Sequence, residues 1–285
     1  MSDVLRILIV GAHPDDCEVH FAGLAALYAE RGHKVMMMSM TDGRCGHFSM
    51  KPAELVKRRR TEARNAAKAV GAVSKVMPFH DTRLVADLPT RFKFLREVRK
   101  FAPDLMLIHK LNDYHPDHRA SVQLVYDISY LLTVPSVEPS VKAMGLKRTP
   151  VICHSARGNW EGDRVICVPI DDVWDKKFEA MHEHTSQFYE WLVWEQGKLS
   201  EVPKSRKGRL RYLKNWRGPQ YKNLADRCKK LVKRLPKKQN FTYAEAVYPA
   251  WAGAGLTPDK IEKLFPFPKL LIGFSSERKT IRNRS

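Results

Sequence analysis

The sequence predicts an α/β fold built on a mostly parallel sheet with helices on both faces. Three observations carry this. Short aliphatic runs such as residues 5–10 recur and read as buried strands. Stretches with helical spacing separate them and stop at glycine or before proline. Strands and helices alternate along the chain, an order that calls for right-handed crossovers between parallel strands.

Residues 5–10 form the first expected strand, ending at Gly11. Residues 18–31 follow as a helix that stops at Gly32, and 33–40 as the next strand. Residues 51–70 read as a charged amphipathic helix ending at Gly71, and 74–79 as a short strand. A helix over 90–101 stops before Pro103. Residues 104–109 are the fourth strand, and 115–132 a helix with Pro116 in its first turn. Two more strands, 149–155 and 164–170, precede a helix near 171–187. The pattern then loosens: residues 190–238 are basic, with Trp and Tyr interspersed, and 241–251 is expected to return to the body. The polar tail from Ser275 is expected to fray. The expected organisation is a Rossmann-like domain over 1–190 and a basic C-terminal extension over 191–285. About 241–251 of that extension packs back.

The chain of 285 residues can bury a sizeable core, and its 44% hydrophobic content is ordinary for a globular protein. No apolar run approaches the roughly 20 residues needed to span a bilayer. The first residues lack a basic region before an apolar stretch, so a cytoplasmic location is expected. The five cysteines (Cys17, Cys45, Cys153, Cys167 and Cys228) show no C-x-x-C spacing and are expected to be free thiols. The net charge is +19, and residues 204–238 hold fifteen Lys or Arg against one acid, Asp226. That segment therefore supplies fourteen of the excess charges. With Tyr212, Trp216 and Tyr221 interleaved, it could grip nucleic acid or an anionic membrane. No nucleic-acid-binding signature accompanies it, so a solvated excursion or a homo-oligomer interface is the preferred reading.

Two motifs carry chemistry. Gly11-Ala12-His13-Pro14-Asp15-Asp16-Cys17-Glu18 follows the first strand directly. His115-Pro116-Asp117-His118 follows the fourth. Sites in open parallel sheets form beyond the carboxyl ends of strands. Crowding His and carboxylates beside an aliphatic strand is costly unless a cation or a reaction uses them. Imidazole nitrogens and carboxylate oxygens suit Zn²⁺, which in catalytic sites takes three protein ligands and leaves one position open. Fe²⁺ suits the same donors.

These motifs resemble those of the PIG-L/LmbE family of zinc-dependent N-acetylglucosaminyl deacetylases. The A-H-P-D-D-x-E element matches residues 12–18, and H-P-D-H matches 115–118. Weaker likenesses are Thr41-Asp42-Gly43, Arg59-x-x-Glu62, Asp81, His184-Thr185-Ser186-Gln187 and Ala244-Glu245. Together they cover roughly residues 4–250. The chain departs from the family at Arg44, where an acid is frequent, and at Thr82, where Gly is frequent. The resemblance implies that His13, Asp16 and His118 bind Zn²⁺ and that Asp15 is the general base. It implies that His115, as imidazolium, polarises the carbonyl while Asp117 holds it. Arg59, Asp81 and His184 become the candidate substrate contacts. The implied reaction removes an N-acetyl group from a small amino sugar or glycoconjugate, and a non-sugar amide is the alternative. A nucleotide-binding fold is disfavoured, since Gly11-x-His13 replaces the G-x-G-x-x-G turn. A basic nucleic-acid-binding protein without catalysis would leave both His/Asp motifs without purpose.

Overall fold

A computed structural model describes residues 4–138, 146–158, 164–231, 240–268 and 270–274. In chain order, β1 (Arg6–Gly11), α1 (Asp16–Glu30), β2 (Lys34–Thr41), α2 (Pro52–Ala69) and β3 (Val73–Phe79) form the first half of the alternation. Next come α3 (Leu88–Phe101), β4 (Leu105–Ile108), α4 (Pro116–Leu131), β5 (Val151–Ser155) and β6 (Arg164–Pro169). The remainder holds α5 (Trp174–Glu183), α6 (Leu192–Glu195), α7 (Arg206–Leu231), β7 (Ala244–Pro249), α8 (Pro258–Leu264) and β8 (Leu271–Phe274). A π-helical turn, Gln187–Trp191, runs into α6.

The eight strands make one sheet in the order β3-β2-β1-β4-β5-β7-β6-β8. Pairs from β3 to β5 are parallel. The pairs involving β6, β7 and β8 are antiparallel. The strand β1 explains why the sheet has two covered faces. Alternate residues of a strand point to opposite sides. Ile7 and Ile9 pack with α1 residues such as Phe21, Leu24 and Ala25. Leu8 and Val10 pack with Phe94 and Leu95 of α3 and Val122 and Val125 of α4. An unbroken aliphatic run is what two-sided burial requires. Helix α1 is buried along most of its length, which is why its apolar residues run round the helix and not along one stripe.

Two features differ from the sequence expectation. The basic stretch holds a 26-residue helix, α7, with Leu213, Tyr221, Leu224, Ala225 and Cys228 buried against the body. Gly208, Gly218 and Pro219 mask it from propensity reasoning, but Pro219 faces solvent and packing outweighs the local cost. Cys167 and Cys228 form a disulfide between β6 and α7, whereas Cys17, Cys45 and Cys153 are free thiols. Neither spacing nor motif could pair residues 61 apart in sequence. The end of the basic stretch (232–239) and the tail from Ser275 lie outside the described residues. Among the described residues, no helix is long and apolar enough to cross a membrane.

Candidate metal centre

Strands β1 and β4 are direct neighbours, and the strand order reverses between them. The loops leaving their carboxyl ends therefore converge at the crevice where open α/β sheets place their sites. Gly11 allows the first loop to turn at once into α1: a Cβ there would stand 2.7 Å from Asp16 Cβ. The loop is tied to β2 by Thr41, whose N and Oγ1 donate to Ala12 O at 2.7 and 2.9 Å.

Asp16 is the hub. Its Oδ2 accepts from the backbone N–H groups of Ala12 (3.0 Å) and His13 (2.7 Å). The same oxygen lies 3.4 Å from His13 Nδ1 and 3.5 Å from His118 Nε2. The structure thus brings His13, Asp16 and His118 together. Each imidazole has a carboxylate behind it. His13 Nε2 faces Asp81 Oδ1 at 3.2 Å and Asp117 Oδ2 at 3.3 Å. His118 Nδ1 faces Asp113 Oδ1 at 3.0 Å. A carboxylate on the outer nitrogen fixes tautomer and ring orientation and raises donor strength, the usual support of a metal-bound His.

The electrostatics point the same way. Asp15, Asp16, Asp81 and Asp117 are all buried. Burial would raise the Asp16 pKa, but His118 and His109 reverse this and hold it well below its ordinary value. Burial would lower the His13 pKa, but Asp117, Asp16 and Asp81 hold it well above the ordinary value. Such an accumulation of buried negative charge calls for a cation. The residues present fit a divalent metal with N and O donors. Other triples of donor atoms also cluster: His13 with His115 and His118, Asp16 with His109 and His118, and His13 with Asp81 and Asp117. His13 and His118 are joined through Asp16, whose Oδ2 both approach, and the outer nitrogen of each is occupied by a carboxylate.

Asp15 caps α1 with φ 151°, a strained conformation for a residue with a side chain. Burial, then the adjacent Asp16, pushes its pKa up to about 6. His115 begins α4, and its Nδ1 accepts from Asp117 N at 3.1 Å. Burial, then His13 and His118, lowers its pKa. That bond uses the Nδ1 lone pair, which leaves Nε2 to carry the ring hydrogen. Asp117 differs in detail from its expected role: its carboxylate serves His13, not His115, and accepts from Thr82 N at 2.8 Å.

Arg59, Asp81 and His184, the expected substrate contacts, are each engaged by protein groups. Asp81 supports His13 and accepts from Cys45 N at 3.0 Å. Arg59 is buried and donates to Gly46 O (2.8 Å) and to Gln187 Oε1. His184 is fully buried with Nε2 3.1 Å from Glu18 Oε1. Burial works against its charge, but Glu18 more than compensates and raises its pKa. Glu62 accepts from Ser186 N (3.0 Å), Ser186 Oγ (2.5 Å) and Thr185 Oγ1 (2.9 Å), binding α2 to the turn before the π-helix. Two of the weaker sequence likenesses are thus one structural joint.

Above the metal donors lies a cavity of about 520 Å³. His13, Asp15, Asp16 and His118 line its floor. Gln187, but not Arg59, Asp81 or His184, reaches its lining. Residues that sequence reasoning missed include Asp113, signalled only by its place five residues before His118. His109, which no motif singles out, has its Nε2 3.2 Å from Asp16 Oδ2. The side of the cavity carries Arg157 and α7 residues Arg217, Gln220 and Arg227, for which no motif exists.

Residues 8–129 match the family described as PIG-L: GlcNAc-PI de-N-acetylase. The chain is 27% identical over 207 residues to 4-oxalmesaconate hydratase of Pseudomonas putida, covering 67% of this chain and 79% of that one. It is 29% identical over 203 residues to diacetylchitobiose deacetylase of Thermococcus kodakarensis, covering 68% and 75%. Among solved structures, N,N'-diacetylchitobiose deacetylase from Pyrococcus horikoshii superposes with a TM-score of 0.66 at 21% identity, covering 87% of this chain and 84% of that one. At that identity the likeness shows the fold.

Proposed function

From the premise that the chain carries a PIG-L family domain, we propose that it is a zinc-dependent hydrolase removing an N-acetyl group from an N-acetylated amino sugar or glycoconjugate. The observation that carries this is the approach of His13 Nδ1 and His118 Nε2 to Asp16 Oδ2, at 3.4 and 3.5 Å, on a cavity floor beside Asp15. Zn²⁺ held by these three would supply Lewis-acid activation of water and of the amide carbonyl. Fe²⁺ would serve with the same donors.

The chain's own groups perform the rest. Asp15, with its pKa pushed up towards neutrality, accepts a proton from the attacking water. It then returns that proton to the departing amine nitrogen. His115, neutral and protonated at Nε2, donates a hydrogen bond to the carbonyl oxygen as negative charge builds there. Asp81, Asp117 and Asp113 hold the two ligating imidazoles so that no reorganisation is needed during the reaction. A non-sugar amide would meet the same machinery, which touches only the carbonyl and its nitrogen.

The hydratase relative supports a second reading, addition of activated water to a double bond. Acetate release separates the two. Zinc-loaded protein incubated with N-acetylated mono- and disaccharides is expected to release one acetate per free amine formed, and chelation should stop it. No acetate from any N-acetyl sugar or simple N-acetyl amide, with zinc bound, would sink the deacetylase reading.

A further inference from the structure

The cavity has two walls of opposite character. Its floor is acidic and suits a cation. Its side is cationic: Arg157, two residues past the end of β5, stands with Arg217 and Arg227 of α7. Positions 217, 220, 224 and 227 recur at helical spacing, so one face of α7 looks into the cavity.

Arg157 and Arg217 are placed in an unusual way. Arg157 Nη2 donates to Gln220 Oε1, which fixes it against α7. The Nε groups of Arg157 and Arg217 are both buried without a hydrogen-bond partner. Among the described residues neither guanidinium pairs with a carboxylate, whereas Arg58, Arg91 and Arg96 each do. The Arg217 guanidinium lies 4.1 Å from the Trp216 ring centroid and is braced there. Burial, then the like charge of Arg157, lowers its pKa. Two neighbouring guanidiniums with orphaned buried N–H groups cost stability unless something anionic completes them. Of the floor carboxylates, Asp16 and Asp113 face His13 and His118, and Asp15, whose charge reaches Arg217, makes no ion pair with either arginine.

We propose that Arg157 and Arg217 form an anion-binding subsite on the cavity side, so that the substrate carries a phosphate or carboxylate group besides its N-acyl group. This rests on the deacetylase reading for the reacting bond, but the subsite stands on its own geometry. Guanidinium forks match both oxyanions in bidentate fashion. Only the 204–231 part of the basic segment that turns inward serves this role, and the outward-facing lysines do not.

Binding and turnover test it separately. Calorimetry with inorganic phosphate and with succinate as bare probes needs no catalysis. Wild-type protein is expected to bind at least one of them, and the Arg157→Gln/Arg217→Gln double variant to bind it about 10- to 100-fold more weakly. Lys222→Gln, the loss of one positive charge on the outer face of α7, should leave the affinity unaltered. In turnover, N-acetylglucosamine 6-phosphate and N-acetylmuramic acid distinguish phosphate from carboxylate. The preferred one should show a KM about tenfold or more below that of N-acetylglucosamine, and this ratio should collapse in Arg217→Gln. Undiminished anion binding in the double variant, or equal KM for neutral and anionic sugars in wild-type protein, overturns the subsite. Loss of anion binding in the double variant with no acetate released from any sugar upholds the subsite and removes the deacetylase reading instead.

Discussion

The floor and the side of the cavity are built in opposite ways. The floor comes from two short contiguous motifs, residues 13–16 and 113–118, each leaving the end of a neighbouring parallel strand. The side comes from single residues set far apart, Arg157 and Arg217, brought together by a long helix laid across the antiparallel end of the sheet. Bond-breaking groups need fixed mutual geometry, and rigid strand ends supply it over a few residues. Recognition groups need only face the same space, and tertiary packing can recruit them from anywhere.

Mutations on each side should therefore fail differently. The largest effects belong to the floor. His118→Ala should lose both the metal and turnover, read by metal analysis and acetate release. Asp15→Asn should keep the metal while turnover falls by about 10²–10⁴-fold. Metal loss in Asp15→Asn or metal retention in His118→Ala would reverse the assigned roles. The strained φ of Asp15 adds a thermal test: Asp15→Gly should melt higher than Asp15→Ala, by an amount on the order of 1–3 kcal/mol.

Next is the joint between the two regions. Lys177 Nζ and Glu245 Oε1 make a fully buried ion pair at 2.7 Å. Glu245 of β7 also accepts from Gly23 N (2.9 Å) and Leu24 N (2.7 Å) in α1, the helix that carries Asp16. Lys177→Met strands a buried carboxylate and should destabilise by about 3–5 kcal/mol, read by urea unfolding. A neutral result would mean that the two regions are held together chiefly by apolar contact. The smallest effect on turnover is expected at the crosslink. Cys228→Ser should cost about 2–4 kcal/mol and raise KM more than it lowers kcat, because it loosens α7 and not the floor. An equal loss in both constants would show that the two walls are not independent.

The same division explains what was legible in the sequence. The strands announced themselves as aliphatic runs, and the motifs at their ends as clusters too polar to sit there idly. That β1 to β4 run parallel follows from alternation, but the adjacency of β1 and β4 that brings the two motifs together is set by the sheet order. The carboxylate partners were less visible. Asp113 lies in a polar loop where acids are common, and only its 3.0 Å contact with His118 gives it meaning. Asp81 and Asp117 were noticed for other tasks because spacing cannot say which imidazole a carboxylate will reach. Arg157 and Arg217 were invisible, one in an ordinary loop and the other among many arginines. Helix α7 itself was obscured by two glycines and a proline that its packing tolerates.

The Cys167–Cys228 bond spans the exposed connection that contains Lys198 and Lys204. A protease cutting after either lysine would break the backbone between β6 and α7, yet the two pieces would remain one covalent molecule until a thiol reductant was added. Nicked protein would run as a single species on a non-reducing gel and as two fragments on a reducing one. The arginine-bearing helix would stay stapled over the cavity after the chain leading to it had been severed.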